Sequence, residues 1–297
     1  MLDGLALARA TMDRAGERWT DEAWIAQRLT DPRTRALRVH DGRVPVRDSR
    51  LALVPVTSAG PGTTFLLGVD EDDVAYVGVL TESAIEEADG VQALDLRAVG
   101  SVLDDREVGL VVHAVALGHW HATHACCARC GQPTEVIHGG HVRRCPSCGA
   151  EHYPRTDPAI IVLVTDAQGR ALLGHNPRWP DRRFSTLAGF VEPGESAEMA
   201  VAREVSEEAG VEVTEVSYLG SQPWPFPHSL MLGFTARALA PATVHVDGVE
   251  ITEARWFSRE ELAEALARGE VLIPPGISIA RRLIEHWYGG PLPGGRR

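Results

Sequence analysis

The chain has 297 residues, of which 44% are hydrophobic and 24% charged, and its formal net charge is -12. That is enough sequence for two domains and a small module, each with its own core. The acidic balance disfavours general attraction to nucleic acid or anionic membrane, so an anionic ligand needs local arginines or a metal. All 29 basic residues are arginine, which removes lysine-based Schiff-base and general-base chemistry.

The N-terminal "MLDGLALARATMDRAGERWT" places Asp3 where a signal peptide carries positive charge and breaks its apolar run at Arg9. No run is long enough to cross a bilayer, and the expectation is a cytoplasmic, unprocessed protein. From Arg50 to Leu80, "RLALVPVT", "TTFLLGVD" and "DDVAYVGVL" read as short strands punctuated by Gly, Pro and Asp. "EVGLVVHAVALGHWHATHA" reads as a helix running into a cysteine cluster. Residues 1–120 therefore form an α+β domain, residues 121–156 a cysteine module and residues 157–288 a second domain. In the last, "AIIVLVTD", "RALLGHN", "HSLMLGFTARAL" and "EITEARWFS" read as strands, and "REELAEALARGE" and "GISIARRLIEHWY" as helices. The tail at 289–297, "GGPLPGGRR", is expected to be disordered.

Four of the five cysteines fall in two Cys-x-x-Cys pairs, Cys127 with Cys130 and Cys145 with Cys148, separated by 14 residues. Each pair can make a knuckle whose thiolates face one tetrahedral ion, and the glycine after each second cysteine permits the turn. The spacing is that of a zinc ribbon; a single iron, as in rubredoxins, fits the same geometry and is the lesser reading. Four thiolates leave no open position, so the zinc is structural, one per chain. Cys126 is read as a free thiol, and His121, His124, His138 and His141 as solvated loop residues.

Residues 189–211, "GFVEPGESAEMAVAREVSEEAGV", put Glu204, Glu207 and Glu208 on one helix, capped by Ser196 and ended by Gly210. At about 100° per residue, Glu208 lies about 40° to one side of Glu204 and Glu207 about 60° to the other. The acids share one outward ridge opposite an apolar stripe of Val201, Ala202, Val205 and Ala209. Like charges so placed repel, and a divalent cation offsets that repulsion; hard oxygen ligands suit Mg²⁺ or Mn²⁺. Arg203, four residues before Glu207, can hold a carboxylate in place.

Gly189, then Glu195, then Arg203-Glu204-Val205, Glu207-Glu208 and Gly210-Val211 at these spacings resemble a complete Nudix box. The resemblance implies an α/β/α sandwich that cuts a nucleoside diphosphate using metals on this helix. It makes Glu204 and Glu208 metal ligands, completed by the Ala188 carbonyl and by Glu250 in "VEITEARW". Arg203, Glu207 and Glu208 take the catalytic roles. The expected fold is α+β overall: an N-terminal Nudix-like α/β domain, a small zinc ribbon and a C-terminal Nudix α/β/α sandwich.

Downstream, "SQPWPFPHSLM" combines three stiffening prolines, Pro223, Pro225 and Pro227, with the flat faces of Trp224 and Phe226 and the polar handles Gln222 and Ser229. After a Nudix box this stretch resembles the NADH pyrophosphatases of the NudC type, as does the ribbon spacing. That resemblance runs over roughly residues 124–287. It implies substrate contacts from residues 222–229, His228 included, and from Tyr153, Ala280 and Arg97, and it implies a homodimer. The reaction so implied is hydrolysis of NADH and NAD⁺ to NMNH or NMN plus AMP. Removal of an NAD cap from RNA by the same chemistry is the alternative, with Arg129, Arg143 and Arg144 as a candidate landing patch whose plainer role is solvated charge. A zinc-ribbon regulator that only senses a nucleotide is a further reading, disfavoured because no catalytic glutamate is missing.

Overall fold

The most continuous apolar run of the second half, Asp157–Thr165, becomes the centre of a six-stranded sheet. The computed structural model describes residues 1–239, 243–246 and 248–293. The chain divides into two units. One takes in Met1–Ala8, Asp157–Pro223 and the chain from Ser229 onward; the other takes in Arg9–Thr156 and Trp224–His228.

In the first unit the strand order is Val213–Trp224, Ser229–Ala238, Asp157–Thr165, Ala171–His175, Glu253–Phe257, with Leu187–Phe190 also paired to Asp157–Thr165. Ser229–Ala238 runs parallel to Asp157–Thr165, and Leu187–Phe190 antiparallel to it. Because successive side chains leave a strand on opposite faces, Asp157–Thr165 feeds two cores. Ile160, Val162 and Val164 pack with Val201 and Val205 of the Ala197–Ala209 helix. Ile161 and Leu163 pack on the other side with Leu262, Leu283, Ile284 and Trp287, from the Arg259–Ala267 and Ile279–Tyr288 helices. Each fully buried aliphatic side chain stabilises this sandwich by roughly 1.5–3 kcal/mol. Within the tail expected to be disordered from 289, Leu292 is instead buried in the second of these cores; residues 294–297 lie outside the described residues.

The other unit holds a four-stranded sheet ordered Val54–Pro55, Arg35–Val39, Ala75–Leu80, Thr63–Val69 and a three-stranded sheet ordered Arg50–Leu51, Arg43–Arg47, Gln92–Asp95. The expected strand at 50–57 is thus split: Leu51 pairs with Val46, whereas Val54 pairs with Ala36 in the other sheet. The Asp105–Thr123 helix begins where Asp104 accepts from the Glu107 backbone N–H, and its buried residues run from Glu107 to His121. Glu107 is buried and half satisfied: its Oε1 accepts from Leu51 N and Arg50 Nε, whereas its Oε2 is buried without a hydrogen-bond partner. The ribbon adds a small sheet of Glu135–Ile137, Val142–Arg144 and Glu151–His152. Among the described residues no helix is long and apolar enough to cross a membrane.

Candidate active site and zinc centre

Ser196 caps the Ala197–Ala209 helix by accepting from Met199 N, and Gly210 ends it in the left-handed region at φ 65°. The apolar stripe is Ala200, Val201, Val205 and Ala209; Ala202 faces solvent, contrary to expectation. The larger correction concerns the acids. Glu207 is exposed, but Glu204 and Glu208 are only 7% and 6% exposed. They do not share an open ridge, because the ridge is partly covered by the strand that precedes the helix. Gly189 shows how close that approach is: any Cβ there would overlap the Glu204 carboxyl group.

Arg203 organises the cluster. Its Nε and Nη2 donate to the two oxygens of Glu195, each at 2.9 Å, in a bidentate pair. Nη1 donates to Glu204 Oε1 at 2.8 Å and Glu207 Oε2 at 3.0 Å, and Nη2 also reaches the Phe190 carbonyl at 2.9 Å. Glu195 is fixed in turn by the Glu192 backbone N–H. Arg203 therefore holds its proton even more firmly than usual, chiefly through Glu195, while the same contact draws the Glu195 carboxyl below its ordinary value. Glu204 moves the other way. Burial raises it, Arg203 opposes the rise, and the charges of Glu207 and Glu250 reinforce it. Glu250, itself exposed, is thus near enough to act on Glu204.

The chemistry of this donor set suits a divalent cation, although among the described residues only the four cysteines bring three or more ligand atoms within 4.8 Å of one another. Its oxygens are hard, two of its carboxylates are buried, and the unfavourable charging of Glu204 is what a nearby cation relieves. Ala188, proposed to lend its carbonyl, lies in the paired strand opposite Ile161.

The zinc centre is gathered more tightly. The Sγ atoms of Cys127, Cys130, Cys145 and Cys148 all lie within 4.8 Å of one another. Cys127 and Cys148 are 3.6 Å apart, and Cys130 and Cys145 3.5 Å. A tetrahedron with zinc–sulfur bonds of about 2.3 Å has edges near 3.8 Å, so the cradle fits. Gly131 and Gly149 close the knuckles at φ 74° and 73°, their N–H groups donating to the Cys127 and Cys145 carbonyls. Desolvation opposes ionisation of Cys127, but N–H donors from Cys130, Arg129 and His152 hold its thiol down to about 6. Cys126 is free and exposed.

The histidines around the ribbon depart from expectation. His121 and His141 are buried, and His124 and His138 half-buried. His121 Nε2 meets the Gly140 carbonyl at 2.9 Å, and His141 Nε2 meets that of Leu66 at 2.9 Å while its ring stacks on Trp19 at 3.6 Å. Arg143 is no solvated charge either. It is buried, donating to Thr134 Oγ1, the Thr134 carbonyl and His121 Nδ1. Arg129 and Arg144 are exposed, so the expected three-arginine patch is reduced to two.

The aromatic loop pairs Trp224 and Phe226 edge to face at 4.9 Å, with the Arg97 guanidinium 3.7 Å from the Phe226 centroid and 5.9 Å from that of Trp224. Arg97 and the loop therefore do come together. Pro225 is buried, Pro227 exposed, and His228 half-buried. Gln222 differs from its expected role as a polar handle: it is 0% exposed, accepting from Leu7 N and donating to the Ile277 carbonyl. Its amide is spent on the fold, since a buried amide needs partners. Pro223 and Ser229 are half-buried where the flanking strands end and begin. Tyr153 is exposed, its hydroxyl donating to Glu151. Ala280 is buried at a helix start with its N–H on Ser278 Oγ. The sequence reading missed the parts played by Gly189 and Glu195, although the fixed spacing of the box around Arg203 was the signal for both.

Three family models match in succession: the NADH pyrophosphatase-like rudimentary NUDIX domain over residues 27–120, the NADH pyrophosphatase zinc ribbon domain over 122–153 and the NUDIX domain over 155–274. The NAD-capped RNA hydrolase NudC of Mycobacterium bovis is 40% identical over 289 residues, covering 94% of this chain and 90% of that protein. The chain belongs to the NudC family of Nudix hydrolases. The Mycobacterium tuberculosis NudC is likewise 40% identical over 289 residues, with coverages of 94% and 90%. The human NAD-capped RNA hydrolase NUDT12 is 43% identical over 197 residues, 62% of this chain and 42% of that protein. Family membership spans both units, including the N-terminal part that shows no catalytic motif of its own.

Proposed function

We propose that this chain hydrolyses the diphosphate of NADH and NAD⁺, and the same linkage where NAD caps an RNA, releasing AMP or the AMP end of the strand from NMNH or NMN. The observation that carries the reading is the Arg203-centred cluster, in which buried Glu204 and Glu208 are set on a Nudix helix in a chain whose family includes NAD-capped RNA hydrolases. Glu204, Glu208 and Glu250, with the Ala188 carbonyl, would hold Mg²⁺ or Mn²⁺. Divalent cations there supply Lewis acidity, neutralising the diphosphate and making an attacking water easier to deprotonate.

The chain's own residues do the rest. Arg203 fixes Glu204 and Glu207 so that neither must reorganise when substrate enters. Glu207 or Glu208 accepts the water's proton. Trp224 and Phe226, steadied by Arg97, offer faces for a base or the nicotinamide ring. The reading includes action in the cytoplasm and a homodimer, the latter checked by light scattering in solution.

Mass spectrometry of products after incubation with Mg²⁺ or Mn²⁺ and, separately, NADH, ADP-ribose and a short NAD-capped RNA tests it. NMNH plus AMP from NADH, or NMN from the capped strand, supports the assignment; failure to cleave either refutes it. Glu208→Gln should lower turnover at least about 100-fold with the fold intact. Wild-type rates in that variant would remove Glu208 from the mechanism.

A further inference from the structure

We infer that the N-terminal unit carries a second ligand site, a cleft that takes a nucleoside phosphate. The cleft measures about 610 Å³ and is lined by Arg38, Arg47, Asp48, Leu53, Ile85 and Glu86 among others. Ligand pockets usually span about 300–1,000 Å³, so a mononucleotide fits. This inference goes beyond the catalytic reading and does not depend on it.

Local structure assembles the arginines. Asp48 and Ser49 have φ of 49° and 60°, making the two-residue turn whose twist suits a hairpin, and that turn sets Arg47 directly opposite Arg50. Like charges facing each other across strands repel. Arg50 is relieved by Asp104 at 3.1 Å and Glu107 at 3.0 Å. Among the described residues no hydrogen bond or ion pair engages the guanidinium of Arg47, nor that of Arg38 on the Arg35–Val39 strand. Arg38 is only partly exposed, and its Nε is buried with no hydrogen-bond partner. A buried donor left unsatisfied is unfavourable, and a ligand acceptor would relieve it.

The chemistry of the lining selects the ligand. Two unpaired guanidinium forks converge on a cleft in a protein of net charge -12, and such forks match phosphate oxygens. Leu53 and Ile85 supply apolar wall for a ring. Asp48 and Glu86, which make no ion pair with these arginines, can accept from an exocyclic amine. A bare polyanion would be repelled by the same acids, so the combination favours a phosphate joined to a base.

The test uses the full-length protein in EDTA, photolabelled with 8-azido-AMP and digested for mass spectrometry. Adducts are expected on cleft peptides within residues 45–54 or 85–91, suppressed by excess AMP but not by equal adenosine or inorganic phosphate. Arg38→Gln combined with Arg47→Gln should cut cleft labelling at least tenfold while NADH turnover stays within twofold. If circular dichroism shows the double variant misfolded, Arg47→Gln alone, at an exposed position, should cut labelling at least threefold. Adducts confined to other peptides, suppression by adenosine alone, or unchanged cleft labelling in the folded variant would overturn the inference.

Discussion

Acidification from pH 7.5 to 5 probes the histidines that join the ribbon to the rest of its unit. His121 Nε2 faces the Gly140 carbonyl and must carry the hydrogen, which leaves Nδ1 to accept from Arg143 Nη1 at 3.0 Å. A second proton would set N–H against N–H. Burial lowers His113 from the ordinary 6.5 to about 3, and His121 and His141 to about 4. Below pH 6.5 the unfolded chain takes up protons that the folded chain refuses, so stability is full above 6.5 and declines as pH falls toward 4. Each histidine loses about 1.4 kcal/mol per pH unit in that window, and three of them over 1.5 units lose roughly 6 kcal/mol. That is comparable with the whole stability of many domains, about 5–15 kcal/mol. Guanidinium denaturation followed by tryptophan fluorescence at both pH values measures it. Since Trp19 stacks on His141 and Trp120 lies 4.6 Å from His121, the probe reports on this region. A loss below about 1.5 kcal/mol, or ring titrations near 6.5 by NMR, would refute the reasoning.

Three further outcomes are expected. Gly189→Ala, which drives a methyl group into the Glu204 carboxyl, should raise the Mg²⁺ concentration needed for half-maximal activity at least tenfold while leaving the melting temperature within a few degrees, as read by cation titration and calorimetry. Arg203→Lys keeps the charge but loses the bidentate hold on Glu195, so kcat should fall about 10- to 100-fold, and near wild-type kinetics would show the clamp to be dispensable. Cys145→Ser should leave less than one zinc per chain by elemental analysis and lower the unfolding midpoint of the N-terminal unit. Without cation, Glu204 acts oppositely to the histidines: its raised carboxyl stabilises the fold at low pH, a contribution lost as pH rises through its folded value.

Much of this was legible in the sequence, and the gaps have physical causes. Periodicity located the central strands and the three helices of the catalytic unit because their apolar residues recur at strand or helix spacing. It passed over Val213–Trp224, whose residues are mostly only partly buried and show no clean alternation. Arg35–Val39 and Arg43–Arg47 were masked by flanking arginines around Ala36, Leu37, Val44 and Val46. Helical angles placed Glu204 and Glu208 side by side correctly, but a helical wheel contains no neighbouring strand and so called both exposed. The same limit applied to His121, His141 and Arg143, whose burial depends on partners at Trp19, Leu66 and Thr134.

The first eight residues have a consequence for how the protein is made. Leu5 is buried in the catalytic unit's core, Leu2 N donates to the Leu219 carbonyl, and Leu7 N donates to Gln222, which also holds Ile277. This segment is thus completed by Leu219, Gln222 and Ile277, which leave the ribosome well after it. At about 5–20 residues per second, its partners arrive more than ten seconds later. Folding of the catalytic unit therefore waits until Ile277 has emerged, with the apolar segment around Leu5 left in the open while Arg9–Thr156 is already free to fold.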